Sequence, residues 1–259
     1  MGGRRFEGKV ALVTGGGGGL GRTVVRALAA EGATVVVGDV AVAAAEQTTG
    51  EARREGARAL AVALDVSEKP SVDAVLANLE GELGRLDVLI NLAGGSLGTP
   101  RDLADIQSVH FDLVQSVNLR GTFLCCQAAV PLMARGGGGA IVNTSSIGGR
   151  SASVVTGVAY AAAKAGVLGL TRRLALEVGP AGIRVNAIAP GLFLSGARLE
   201  GMWEALASHD RERVLAEIPL GRLPELAEAV GPILFLASDD ASYITGAVLD
   251  VNGGRFMAG

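Results

Sequence analysis

The sequence predicts an α/β fold, a doubly wound parallel sheet with helices on both faces, and three observations carry that expectation. Short runs rich in Val, Ile and Leu recur between stretches of helical length. The chain is 49% hydrophobic but only 3% aromatic, so its core must be built from Ala, Val, Leu and Ile, the composition of strands buried on both faces. At 259 residues it can form one large domain, and a domain of that size buries roughly 70–75% of the surface its unfolded chain exposes. All-β and disordered folds do not fit this pattern.

Seven strands are expected, at residues 10–14, 34–38, 59–64, 88–92, 140–144, 184–189 and 247–251. Residues 20–31, 41–56 and 71–84 set apolar side chains at three-and-four spacing against a polar face, which predicts amphipathic helices. The stretches 109–133, 159–179 and 226–237 are apolar over most of their length, so something besides the sheet is expected to cover them. Pro232 follows Gly231 and cannot continue an intrahelical bond; it is expected to open the last helix. The four glycines at 136–139 read as a flexible connection from helix to strand. Residues 192–221 break the rhythm, carry Trp203 and several apolar residues, and form the expected substrate lid. With right-handed crossovers the strands make one parallel sheet in a single domain, residues 1–259, whose ligands bind beyond the carboxyl ends of the strands.

Several function classes are disfavoured. A net charge of -3 with Arg and Glu interspersed leaves no basic stripe for nucleic acid. No run of 18 uncharged apolar residues is present to span a membrane. Arg4-Arg5 is not followed by an apolar leader core, and Gly2 lacks the Ser or Thr at position 6 that myristoylation expects, so a cytoplasmic protein acting on small molecules is expected. Cys125 and Cys126 are adjacent in a helical stretch, where they cannot form a disulfide without strain, and read as small buried hydrophobes. His110 and His209 are far apart and predict no metal site. Without a Gly-x-Ser-x-Gly elbow, hydrolase chemistry is disfavoured as well.

The first strand ends in Thr14-Gly15-Gly16-Gly17-Gly18-Gly19-Leu20-Gly21, where the chain turns into a helix. Glycines let backbone approach a pyrophosphate, and the N–H groups at the helix start meet its charge. Two registers fit, with glycines at 16, 18 and 21 or a Thr14-Gly15-x-x-x-Gly19-x-Gly21 pattern. Asp39 closes the second strand 18 positions beyond Gly21, where a carboxylate accepts hydrogen bonds from an adenosine ribose and repels a 2′-phosphate. No Lys or Arg lies within 15–21 and Val40 and Ala41 follow Asp39, so the expected cofactor is NAD and not NADP.

Tyr160 and Lys164 share one helix face at i,i+4 spacing. A free phenol titrates near ~10 and is a poor base, whereas a neighbouring ammonium favours the phenolate. Such a pair alone is an ordinary solvated face. Here the fifth strand ends in Asn143-Thr144-Ser145-Ser146 and the fourth in Asn91-Leu92-Ala93-Gly94, which puts hydroxyl and amide groups at the same edge of the sheet.

Together with Asp65-Val66, Asn118 within Val117-Asn118-Leu119-Arg120-Gly121, and Pro190-Gly191, these ordered motifs make the chain resemble the short-chain dehydrogenase/reductase family over essentially its whole length. The resemblance implies a Rossmann-type sheet of order 3-2-1-4-5-6-7, a homotetramer, and hydride transfer between a nicotinamide and an alcohol or ketone. It implies Tyr160 as general acid/base, Lys164 lowering its pKa and holding the nicotinamide ribose, Ser146 positioning the substrate oxygen, and Asn118 anchoring a water in a proton relay. Cofactor contacts would come from Gly15, Gly18, Gly19, Leu20 and Gly21 at the turn, Asp39 and Val40 at the ribose, and Asp65 and Val66 at the adenine. Asn91, Ala93 and Gly94 would follow in the ribose region, with Pro190, Gly191, Phe193 and Ser195 by the nicotinamide.

The chain departs from the family pattern at Leu92, in the second position of the Asn-Asn-Ala-Gly motif, and at Ser195, where Thr is frequent. Ser146 precedes Tyr160 by 14 residues where 13 is commoner, which leaves Ser145 open as the alternative, though motif position favours Ser146. Leu97, Leu192, Phe193, Leu194, Leu199, Met202 and Trp203 give the expected pocket and lid an apolar character suited to a hydrophobic secondary alcohol or ketone. A 3-oxoacyl-carrier-protein reductase is the alternative activity. A non-catalytic dinucleotide-binding or sensor protein is the alternative of another class, and loss of Tyr, Lys or Ser would mark it.

Overall fold

A computed structural model describes residues 4–152 and 155–258, apart from the side chains of Ala197 and Arg198. Strands β1 (Val10–Thr14), β2 (Thr34–Asp39), β3 (Ala59–Ala63), β4 (Val88–Asn91), β5 (Gly139–Thr144), β6 (Ile183–Pro190) and β7 (Val248–Val251) form one seven-stranded sheet in the order β3-β2-β1-β4-β5-β6-β7. Every pairing is parallel. The order reverses between β1 and β4, the switch point at which such sheets open a crevice.

Alternation along each strand builds two cores. Ala11, Val13, Val35, Val37, Ile90, Val142 and Ile188 point to one face, where helices α1 (Gly19–Ala30), α2 (Val42–Arg54) and the final α9 (Leu226–Ala237) cover them. Leu12, Val36, Leu89, Ile141 and Val185 point to the other, under α3 (Lys69–Leu83), α5 (Gly121–Arg135) and α6 (Val158–Val178). A one-residue slip of any strand would exchange the two sets. Among the described residues, no helix is long and apolar enough to cross a membrane.

The apolar stretch around 109–133 is one path in three parts: α4 (Ser108–Gln115), a π-helical turn at Ser116–Arg120 that contains Asn118, and α5. His110 serves as a cap at its start, its Nδ1 accepting from the Gln107 N–H at 3.2 Å. Cys125 and Cys126 are buried, and desolvation pushes the Cys125 thiol up to about 12 and the Cys126 thiol further, so neither is a ready thiolate.

Pro232 does not open the last helix. The start is set by a reciprocal cap in which the Glu225 N–H donates to the Glu228 carboxylate at 2.9 Å, and Pro232 lies in the middle of α9. The lost intrahelical bond is tolerated because Ile233, Leu234 and Leu236 are buried against the sheet. Residues 192–221 contain two short helices, α7 (Ala197–Ala205) and α8 (Ser208–Ala216).

Candidate active site

At the carboxyl ends of the strands lies a cavity of about 780 Å³. One end is walled by the glycine turn and by Asp39, Val40, Asp65 and Val66. The other is walled by Ser146, Tyr160, Lys164, Pro190 and the apolar side chains Leu97, Leu192, Phe193, Leu199 and Met202.

Backbone geometry decides the register of the glycine run. Gly15 and Gly19 have φ of +68° and +49°, and α1 begins at Gly19, which selects the Thr14-Gly15-x-x-x-Gly19-x-Gly21 reading. A Cβ on Gly15 would lie 2.8 Å from the Ala93 nitrogen, one on Gly19 2.5 Å from the Ser195 carbonyl oxygen, and one on Gly21 would collide with the Gly15 carbonyl. Gly18 alone in the run has open space beside it, and it lines the cavity. Open backbone, a helix N-terminus and an acid at the end of β2 fit a dinucleotide pyrophosphate and ribose.

Asp39 also holds that turn in shape. Its Oδ2 accepts from the Gly17 N–H and its Oδ1 from the Ala41 N–H, both at 2.9 Å. The nearby Arg22 donates to the Gly17 carbonyl at 3.3 Å and lies 3.7 Å from Glu51. Asp65 braces the next loop by accepting from the Ser67 N–H and hydroxyl at 2.9 and 2.7 Å.

The serine–tyrosine–lysine group is assembled by β5 and α6. Lys164 is buried; its Nζ donates to the Thr144 carbonyl at 2.8 Å and lies 5.5 Å from the Tyr160 ring centroid. Desolvation brings the ammonium down to about 8 from its ordinary 10.5. The two serines are used differently. Ser145 donates its hydroxyl proton to the Lys164 carbonyl at 2.8 Å, which ties the strand end to the helix. Ser146 accepts from the Gly148 N–H at 3.1 Å, and among the described residues its own proton has no acceptor. A substrate oxygen can therefore take a hydrogen bond from Ser146, whereas the Ser145 donor is already spent.

Asn118 stands behind this wall and does not line the cavity. Its Oδ1 accepts from the Gly95 N–H and its Nδ2 donates to the Gly95 and Val114 carbonyls, all at 2.9 Å. Its side chain thus clamps the loop after β4, and a Cβ on Gly94 would collide with it. Asn91 is also turned away: it is buried, and its Nδ2 donates to Asn143 Oδ1 at 2.9 Å. The remaining expected cofactor residues, from Gly15 to Ser195, line the cavity; of the expected apolar residues, Leu194 and Trp203 do not.

Among the lining residues to which the sequence assigned no role, Thr144 and Arg255 matter most here. Thr144 matters through its carbonyl, and main-chain acceptors leave no trace in residue identity. Arg255 lies more than 90 positions beyond Tyr160 and Lys164, and only the β6–β7 pairing brings it to this wall.

The comparisons with known proteins agree with this architecture. A family model described as enoyl-(acyl carrier protein) reductase matches residues 16–255. A hydroxy(phenyl)methylsuccinyl-CoA dehydrogenase subunit of Thauera aromatica is 37% identical over 97% of this chain and 98% of its own length. The 3-oxoacyl-(acyl-carrier-protein) reductase of Thermotoga maritima is 38% identical over 96% of this chain and 98% of its own. A solved 7α-hydroxysteroid dehydrogenase, complexed with NADH and a 7-oxo bile acid, superposes with a TM-score of 0.89 at 31% identity, covering 97% of this chain and 95% of that one. The motifs, the parallel sheet, the cavity at its switch point and these likenesses place the chain in the short-chain dehydrogenase/reductase family, as an oxidoreductase.

Proposed function

We propose that this enzyme is an NAD-dependent dehydrogenase that interconverts a hydrophobic secondary alcohol and its ketone. The observation that carries the reading is the placing of Ser146, Tyr160 and Lys164 on one wall of a cavity whose far end is a glycine turn closed by an acid. The dinucleotide, when bound, supplies the hydride in reduction and accepts it in oxidation. Gly15, Gly18, Gly19, Leu20 and Gly21 would hold its pyrophosphate, Asp39 and Val40 a ribose, Asp65 and Val66 the adenine, and Pro190, Gly191, Phe193 and Ser195 the nicotinamide end.

In reduction Tyr160 passes its phenolic proton to the carbonyl oxygen while Ser146 donates a hydrogen bond to the same atom; in oxidation Tyr160 takes the alcohol proton. Lys164, protonated below a pH of about 8, steadies the phenolate left behind. Asn118 keeps the loop of Gly94 and Gly95 seated beside Lys164, a positioning role.

The test is initial rates on a panel of secondary alcohols with NAD and NADP, and of ketones and 3-oxoacyl thioesters with NADH and NADPH. Because a 2′-phosphate would face the Asp39 carboxylate, kcat/KM is expected to favour NADH over NADPH by at least roughly tenfold. Preference for the phosphorylated cofactor refutes the NAD reading. Thioesters preferred over simple ketones would favour a 3-oxoacyl reductase, the activity named for the Thermotoga maritima relative.

A homotetramer is part of the same reading. Val109, Phe123 and Val158 are exposed on α4, α5 and α6, and a shallow depression is lined by Leu119, Phe123 and Leu170 together with Asp112, Gln115, Ser116 and Arg120. An apolar surface of this kind is suited to a second copy of the chain. Light scattering at micromolar concentration is expected to return the mass of four chains, and a monomer would refute the assembly.

A further inference from the structure

The charged residues lining the cavity divide by position. Asp39 and Asp65 stand at the glycine-turn end, and the cations are Lys164 and Arg255. Arg255 has no place in the hydride-transfer scheme. Its side chain is only 4% exposed, beside an apolar wall. Nε and Nη2 both donate to one oxygen of Glu217, at 3.0 and 2.5 Å, while Nη1 is buried and has no acceptor among the described residues. A buried guanidinium N–H without a partner is unfavourable unless something that enters the site completes it.

The position of Arg255 is built, not incidental. Asn252 pins the turn that carries it: its Oδ1 accepts from the Gly254 N–H at 3.1 Å and its own carbonyl from the Arg255 N–H at 3.2 Å. Gly253 and Gly254 take φ of +65° and +85°, and a Cβ on Gly253 would come 2.7 Å from Ile218. On the next residue the Phe256 ring lies under Arg150 at 4.8 Å. Glu217 caps the end of α8 and also lies 3.6 Å from Arg213, so two guanidiniums share one carboxylate. Arg213 is largely exposed and does not line the cavity, so Arg255 is the cation that meets the cavity beside Glu217, and its unpartnered Nη1 suits a charged acceptor better than a neutral carbonyl.

We propose that Arg255 determines specificity by receiving a carboxylate of the substrate, through Nη1, at the lid end of the cavity; the substrate is then a ketone or secondary alcohol that also carries an acid group. This deepens the dehydrogenase reading and rests on it for the placing of the reacting carbonyl. The test uses matched probes: 4-oxopentanoate and 5-oxohexanoate beside their methyl esters, with NADH, on wild type, Arg255→Met and Arg255→Lys. Arg255→Met is expected to raise KM for the keto acids by about 10- to 100-fold and to leave the esters within roughly twofold. Arg255→Lys, which keeps the charge but not the fork, should retain part of the acid preference. An equal loss on acids and esters would mean that Arg255 only latches the lid, and an unchanged acid preference would mean that it is idle; either overturns the proposal.

Binding of the same acids to NAD-loaded protein, read by fluorescence of Trp203, the single tryptophan, separates the two ideas. If no ketone is turned over but Arg255→Met abolishes acid binding, the carboxylate site stands and the dehydrogenase reading fails. If acid binding is indifferent to Arg255, the carboxylate site fails whatever the turnover.

Discussion

Tyr160→Phe is expected to lower turnover by about 100- to 10,000-fold, in both reaction directions, while dinucleotide binding stays within a few-fold of wild type. The substitution removes one oxygen and keeps the ring that Lys164 lies beside at 5.5 Å, so the wall of the cavity should persist without the proton donor. Initial rates, together with NADH binding by fluorescence, check it; a variant that turns over like wild type refutes Tyr160 as acid/base. The serine beside it supplies an internal comparison. Ser146→Ala should lose turnover at unchanged melting temperature, because Ser146 has a proton to give the substrate. Ser145→Ala should lose stability first, because its hydroxyl ties β5 to α6 through the Lys164 carbonyl. An active Ser146→Ala beside a folded but dead Ser145→Ala would reverse that assignment.

Lys164→Met is expected to lose a comparable factor in turnover and also to change how stability depends on pH. Burial brings the folded lysine to about 8 from its ordinary 10.5. Between those values the unfolded chain holds a proton that the folded chain has released, so the lysine makes stability rise with pH across that window. Below about 8 both states are protonated and the full desolvation penalty applies, on the order of 3 kcal/mol. Part of that is offset by the bond to the Thr144 carbonyl, which the variant leaves unpaired at a cost of ~1–3 kcal/mol. The cleanest observable is therefore the difference between the two proteins. Without cofactor, the stability of Lys164→Met relative to wild type should be highest at pH 7 and fall by about 2–3 kcal/mol as pH rises to 10.5. Urea unfolding of both proteins at several pH values measures it. A difference that does not move with pH would show that Lys164 is solvated or already neutral.

Much of the fold was legible because its signals are local and repeated. Apolar runs spaced by amphipathic stretches named all seven strands to within one or two residues, and the Ala/Val/Leu/Ile composition fits the two-sided burial seen at Leu12, Val13, Val36 and Val37. Pro232 departs from its expected place because the Glu225–Glu228 cap fixes the helix start upstream and burial of α9 outweighs one missing bond. Glycine identity alone left two registers for the cofactor turn. Only backbone conformation and the closeness of Ala93 and Ser195 chose between them.

By itself the sequence determined the α/β class, the strand positions, the acid at the end of β2 and the Tyr160–Lys164 pair, because each depends on residue type at short spacing. Tertiary structure decided which groups meet. It turned the Asn91 amide nitrogen toward Asn143 and set Asn118 behind Gly95, where main-chain groups of Gly95 and Val114 satisfy both ends of the Asn118 amide. It spent the Ser145 proton and spared that of Ser146, a difference that arises only where the end of β5 meets α6. It also brought Arg255 to the wall of the cavity, where it is paired with Glu217 through Nε and Nη2 while Nη1 is left without an acceptor among the described residues.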